Sequence, residues 1–242
     1  MIPQYTKELN PQQREAVLYT EGPLLILAGA GAGKTKTITH RILHLIHQGV
    51  VPEEILAVTF TNKAAREMRE RVLHLLKEVP PTHPISRVPF VSTFHSLCVS
   101  ILREHSEKLS LPKYFTIFDR SDSIKWIAYA MKEAGLPDKQ YEPKNILSAI
   151  SKQKNDCVTL SEYQKRARGE YYSTIVVGVW ERYQKFLAKE KALDFDDLLL
   201  HTYTLFKENE SIRRMYQTRW RYMHIDEYQD TNKVQNNLTR LL

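Results

Sequence analysis

Residues 23–35 read Pro23-Leu24-Leu25-Ile26-Leu27-Ala28-Gly29-Ala30-Gly31-Ala32-Gly33-Lys34-Thr35. The apolar run 23–27 has the continuous character of a parallel strand covered on both faces. Residues 34–48 carry Ile38, Ile42, Leu45 and Ile46 at helical spacing, and Gly49 suits the helix end. A glycine-rich loop thus leads from a strand into a helix. In that context backbone N–H groups and the helix N-terminus converge on phosphate oxygens, and small residues let the backbone come close. Lys34 is the side chain that reaches the β- and γ-phosphates, and the Thr35 hydroxyl is a Mg²⁺ ligand. The candidate nucleotide-binding residues are Ala28, Gly29, Ala30, Gly31, Ala32, Gly33, Lys34 and Thr35. Ala28 stands where the strict pattern has Gly. A Gly/Ala turn that only caps a helix is the alternative, and the strand before with the helix after disfavours it.

Outward from this loop the same alternation repeats. Before it, Asn10, Pro11 and Gln13 form a helix start with a capping pair. After it, the apolar run 55–60 leads into a helix with Asn62 as the cap and Ala65, Met68, Val72, Leu75 and Leu76 as the buried stripe, stopped by Pro80-Pro81. A third run, 90–94, leads into a helix over 96–109. Strand–helix repetition of this kind predicts an α/β fold with a parallel sheet. From about 120 to 191 the pattern turns helical: 121–135 is one helix, Pro143 opens another through Ile150, and a long one covers 179–189. Residues 174–177 (Thr-Ile-Val-Val) are locally strand-like. A strand signal returns at 222–225. The expected organisation is an α/β first segment over 1–118, an all-helical insertion over 119–192, and a return to the first domain over 193–242.

The composition excludes several classes. With 42% hydrophobic and 26% charged residues, the 242-residue chain matches an ordinary globular mix, neither disordered nor collagen-like. No apolar run approaches the roughly 18 residues that span a bilayer, so no membrane partner is expected. The polar start has no signal core. Cys98 and Cys157 form neither a CxxC pair nor a zinc pattern, read as two small buried hydrophobes, and fit a reducing cytoplasmic setting. The net charge of +7 permits a polyanionic partner.

His224-Ile225-Asp226-Glu227 is the natural complement of the loop. A strand that ends in two carboxylates delivers them to the carboxyl edge of the sheet, where ligands bind in open α/β folds. Asp226 is the expected Mg²⁺ partner. Glu227 is the expected general base for the attacking water, and with Lys34 it makes the catalytic pair. Gln13 could meet both edges of an adenine, although on its residues alone it reads as a helix cap. Thr59, Phe60 and Asn62 at one strand end, and Thr93 and His95 at the next, set an aromatic ring among short polar groups, a combination suited to single-stranded nucleic acid. A core Phe beside a helix cap is the competing reading of each.

Together these segments resemble the N-terminal part of the UvrD/PcrA/Rep helicases of superfamily 1. LNPQQREAV at 9–17 is similar to the Q motif, the loop at 28–35 to motif I, TFTNKAAREM at 59–68 to motif Ia and STFHS at 92–96 to motif Ib. DFDDLL at 194–199 resembles a later family motif, and DEYQDTN at 226–232 resembles motif II. The order is that of the family and the set covers the whole chain. Two departures stand out: Ala32 where the family usually has Ser, and His224 where most members have an apolar residue. The resemblance implies a RecA-like P-loop domain with a helical insertion, ATP and Mg²⁺ as cofactors, and Gln13 as an adenine contact. It implies that Phe60, Asn62 and His95 touch the strand. It further implies ATP-driven 3′→5′ stepping along single-stranded DNA that parts the duplex at a junction. Family members continue past motif II with a further strand, a second RecA-like domain and the arginines that meet the γ-phosphate. On that comparison the chain is expected to be a fragment, poorly active alone. Two alternatives stay open: the motor of a helicase–nuclease, and a nucleotide- and strand-binding module without productive hydrolysis, which Glu227 disfavours.

Overall fold

The structure, a computed structural model, describes residues 3–81, 87–109, 111–136, 140–167 and 169–242. In chain order the main elements are α1 (Pro11–Leu18), α2 (Lys34–His47), β1 (Ile55–Thr59), α3 (Asn62–Glu78), β2 (Phe90–Thr93) and α4 (Phe94–Glu104). Then come β3 (Thr116–Phe118), α5 (Arg120–Glu133), α6 (Pro143–Asn155), α7 (Leu160–Arg166) and α8 (Tyr171–Lys189). The last are β4 (Ala192–Asp194), α9 (Phe195–Glu208), α10 (Glu210–Arg219), β5 (Tyr222–Ile225) and α11 (Lys233–Leu241). By their contacts the residues fall into two units, one of residues up to 94 with 214–230, the other of 95–213 with 231–242. The expected boundaries at 118/119 and 192/193 lie inside the second unit, because residues on both sides of the helical stretch pack with it.

The first unit is built on a parallel sheet of order β2-β1-β5. Leu56 pairs with Phe90 on one side and Met223 on the other, and Thr59 is level with Thr93. All five residues of β1 are buried, as expected for a central strand flanked by two others. Helices α2 and α3 lay Ile42, Leu45, Ile46, Met68 and Val72 into one apolar core with Ile55, Ala57 and Val91. Burying side chains of this size contributes about 1.5–3 kcal/mol each.

Two expectations fail here. The run 23–27 forms no regular element and joins no strand ladder among the described residues; Leu25 is 65% and Leu27 86% exposed. Apolar character predicts a wish for burial, whereas strand status requires a neighbour to bond with. The cap of α3 is Thr61, whose hydroxyl accepts from the Ala64 N–H at 3.1 Å, while Asn62 is already the first helical residue. Either side chain can cap; the backbone of Thr61 is the extended one.

The second unit pairs β3 with β4 in parallel beside a helical core of Ile127, Ile146, Ile150, Val176, Trp180 and Tyr183. Three-residue strands are too short to show a period, which hid them in the sequence. The strand-like residues 174–177 lie inside α8. Val176, Val179, Trp180, Tyr183 and Leu187 repeat at spacings of three and four, and that apolar face outweighs the local β-branched preference. Helix α4 ends at Glu104, short of the expected 109. Cys98 is buried and its thiol is pushed up to about 12 by burial, whereas Cys157, expected inside, is only half-buried. No helix among the described residues is long and apolar enough to cross a membrane.

His224 sits in β5 with 8% exposure, and its Nδ1 meets no hydrogen-bond partner among the described residues. Burial, with the Arg41 guanidinium adding to it, pulls its pKa from the ordinary 6.5 to about 3. The folded value is the lower one, so below pH 6.5 the unfolded chain takes the proton first and stability falls with falling pH. The slope is at most about 1.4 kcal/mol per pH unit. His224→Ile should remove this component and make the fold at pH 5 about 2 kcal/mol less sensitive relative to pH 7.5. Urea melts of both proteins at the two pH values measure it. An equal loss in both would rule out His224 as the source.

Candidate nucleotide and strand site

The carboxyl ends of β1, β2 and β5 point the same way, so Thr59, Thr93 and Asp226 emerge at one edge of the sheet. The Asp226 N–H donates to Val58 O at 2.9 Å, which fixes the carboxylate just past the strand end. The glycine-rich loop 28–33 leads directly into the first turn of α2, which carries no acidic residue to compete for anions. The Ala32 N–H donates to Gly29 O at 3.3 Å, closing a turn within the loop. Gly33 is the cap of α2 with φ +83°. A Cβ there would be strained and would lie 2.8 Å from Gln13 Nε2, so only glycine fits.

Gln13 does two things at once. It completes the expected capping box, its Oε1 accepting from the Asn10 N–H at 3.1 Å and its N–H donating to Asn10 Oδ1 at 2.8 Å. Its Nε2 donates to Ala32 O at 2.9 Å, so the α1 cap is tied to the glycine-rich loop. Lys34 Nζ folds back to donate to Ala28 O at 3.3 Å and Gly29 O at 3.4 Å, and lies 3.9 Å from Glu227 Oε1. Thr35 Oγ1 donates to Asp226 Oδ2 at 3.4 Å across 191 residues of sequence. Burial, then the neighbouring Glu227 charge, raises the Asp226 pKa above the usual carboxylate range, against the opposing pull of the Glu227 N–H, Thr35 and Lys34. Glu227 has φ +51°, a left-handed conformation that a non-glycine residue rarely adopts. Its Oε2 accepts from Gln229 Nε2 at 2.5 Å. Strain of this kind persists where the surroundings hold it and clusters at functional sites.

The strand candidates divide. In the first unit Thr59 and Thr93 are buried, and Thr59 Oγ1 donates to Thr61 O at 3.1 Å. Phe60 is half-buried with its ring edge-on to Phe94, centroids 5.7 Å apart, while Asn62 is exposed. In the second unit His95 presents its ring edge-on to Phe195 at 5.2 Å, and burial, countered by Asp196, lowers its pKa. Of these five, Phe60, Asn62 and His95 keep accessible surface for a ligand.

The family model described as the UvrD/REP helicase N-terminal domain matches residues 9–242. The chain belongs to the UvrD/REP helicase family. It is 45% identical over 237 residues to the ATP-dependent DNA helicase PcrA of Staphylococcus epidermidis, covering 98% of this chain and 32% of that protein. It is also 45% identical over 235 residues to the PcrA of Staphylococcus aureus, covering 97% and 31%. The chain therefore spans about a third of the length of the curated relatives it matches.

Three further groups of this UvrD/REP-family chain stand outside the expected site residues. Gln229 holds the Glu227 carboxylate, a role with no signal beyond its position two residues on. Lys154 is 1% exposed and its Nζ lies 2.7 Å from both Asp194 Oδ2 and Asp197 Oδ1. Burial works against its charge, but the two carboxylates outweigh that and hold the ammonium protonated. In sequence Lys154 looks like one more lysine on a polar helix face; the clue was the pair of acids embedded beside Leu193 and Leu198, which need a counter-charge if buried. Asn155, the next residue, bonds to both Asp196 and Asn232.

Proposed function

We propose that this chain is the ATP- and single-stranded-DNA-binding part of an ATP-dependent 3′–5′ DNA helicase. The observation that carries the reading is the approach of Thr35 to Asp226 beside the phosphate loop. A hydroxyl and one carboxylate at this spacing suit Mg²⁺, which keeps waters and takes its remaining ligands from substrate phosphates rather than from an all-protein cage. Thr35 and Asp226 would hold the ion, and bound there it neutralises charge on the phosphate oxygens. The loop amides cradle the phosphates, and Lys34 turns from its own loop carbonyls to the β- and γ-phosphates. Glu227, held at its strained backbone angle, accepts the proton of the attacking water. Gln13 meets the adenine by exchanging one of its present bonds for the base. Phe60, Asn62 and His95 each contact the strand, and Thr59 and Thr93 stand at the carboxyl edge of the first unit's sheet.

On this reading residues 1–118 and 193–242 form the RecA-like domain and 119–192 its helical insertion. Nucleic-acid junctions are the substrate, ATP and Mg²⁺ the cofactors, a further RecA-like domain the partner, and the cytoplasm the compartment. The test uses the complete gene product: steady-state ATPase with and without oligo-dT, and strand displacement on substrates with 3′ or 5′ tails. DNA-stimulated turnover with unwinding from a 3′ tail is expected. Turnover indifferent to DNA, or a preference for 5′ tails, contradicts it.

Phe60→Ala should weaken oligo-dT binding by about 1–3 kcal/mol with little dependence on base identity, because every base offers a face to stack on. Fluorescence anisotropy with dT and mixed-sequence strands measures it. An unchanged affinity with a lowered melting temperature would assign Phe60 to the core with Phe94.

A further inference from the structure

The second unit holds two family-like motifs that the nucleotide site does not use: DFDDLL at 194–199 and the end of DEYQDTN at Asn232. It also holds His95. Asn155, at the C-terminal end of α6, bonds to both motifs. Its Nδ2 donates to Asp196 Oδ1 at 3.0 Å, and its Oδ1 accepts from Asn232 Nδ2 at 2.6 Å. Ser151 O accepts from the same Nδ2 at 2.9 Å, so the amide is held in one orientation. An amide suits such a bridge because it carries a donor and an acceptor at once.

Each end of the bridge leads somewhere. Asn232 is the cap of α11, its Oδ1 accepting from the Gln235 N–H at 2.9 Å. It lies five residues along the chain from Glu227, so it fixes where the segment that follows the carboxylate pair is anchored. At the other end, Asp196 follows Phe195, whose ring backs the ring of His95. Phe195 and Asp196 lie in the first turn of α9, which is bonded on both sides. Asp194 and Asp197 on either side of it clamp the buried Lys154, and Tyr183 OH donates to Asp194 Oδ2 at 3.1 Å. Lys154 therefore fixes the turn, and Asn155 ties the fixed turn to the segment that leaves the nucleotide carboxylates.

We propose that Asn155 is a positioning residue that couples nucleotide binding to strand binding, by linking Asn232, five residues along the chain from Glu227, to the Asp196–Phe195 turn that backs His95. The inference rests on the reading above, that Asp226 and Glu227 meet the nucleotide and His95 meets the strand. A coupling between two ligands is a free energy and acts equally in both directions. A nucleotide that shifts the segment at Asn232 must then change strand affinity, and the strand must change nucleotide affinity by the same factor. Factors of about 5–150 are typical of such couplings.

The experiment uses the complete gene product and a non-hydrolysable ATP analogue with Mg²⁺. The oligo-dT Kd is measured with and without analogue, and the analogue Kd with and without oligo-dT; the two ratios give the coupling. In Asn155→Ala the coupling ratio should fall at least about fivefold towards one. Strand affinity without nucleotide and ATPase without DNA should stay within about twofold of wild type, as for a group that touches neither ligand. Asn232→Ser is the second variant. Serine keeps the helix cap but lacks the amide donor, so the same loss of coupling is expected at an unchanged melting temperature. A wild-type ratio in the folded variants overturns the inference. So does a fall in DNA-free turnover as large as the fall in coupling, which would make Asn155 merely structural. A wild-type protein whose ATPase ignores DNA overturns the helicase reading itself and is recognised before any variant is made.

Discussion

Lys34→Ala abolishes ATP turnover in the complete gene product, by about 10³-fold or more, and leaves the fold intact. The magnitude is that of removing one preorganised charge from a site where negative charge develops. The fold survives because Lys34 makes only long bonds to its own loop, at 3.3 and 3.4 Å, and a 3.9 Å approach to Glu227. A partly exposed pair of this kind is worth at most about 1 kcal/mol. Removing Lys34 also lifts one of the positive influences on Asp226, whose pKa is already raised. Metal affinity in the variant should therefore become more acid-sensitive. Steady-state ATPase beside a thermal melt checks both halves. A variant that melts normally and still hydrolyses ATP near the wild-type rate contradicts the assignment of the loop.

Glu227→Gln separates binding from chemistry. Turnover should fall by about 10²-fold or more, the usual contribution of a positioned general base. Analogue affinity should hold. The amide has the same shape, can occupy the same left-handed backbone position and still accepts from Gln229. Removing the Glu227 charge also relieves Asp226 of the second-largest influence raising its pKa, so Asp226 keeps its charge to lower pH. Single-turnover hydrolysis and analogue titration, run in parallel, distinguish the two effects. If affinity drops as far as turnover, the carboxylate holds the loop through Lys34 and does not act as a base.

The candidate nucleotide site is legible in sequence because its parts are local. A glycine-rich loop that opens a helix at Gly33, Lys34 and Thr35 needs no distant residue to define it, and Asp226-Glu227 announces itself by lying at the end of an apolar run. What the sequence withheld was pairing. The run 23–27 has the composition of a strand, yet strand status depends on a neighbouring backbone that no local pattern encodes. Residues 174–177 show the reverse: β-branched side chains suggested a strand, and the apolar face continued by Trp180 and Tyr183 made a helix. The cap of α3 slipped by one residue because Thr61 and Asn62 are equally able to cap. Lys154 and Asn155 were invisible because their partners lie 40 and more residues away, at Asp194, Asp196 and Asn232. Gln13 was read as a choice between a cap and a ligand contact. In the structure it is a cap that also holds the glycine-rich loop at Ala32.

The most direct measurement is a calorimetric titration of the 242-residue chain with a non-hydrolysable ATP analogue, with Mg²⁺ and with EDTA, beside Lys34→Ala and Asp226→Asn. One analogue should bind per chain in a Mg²⁺-dependent way. Each substitution should weaken binding by about tenfold or more, the worth of one charge-assisted contact. Binding that ignores the metal and both substitutions, or no binding by a chain that melts cooperatively, would contradict a nucleotide site at Lys34, Thr35 and Asp226.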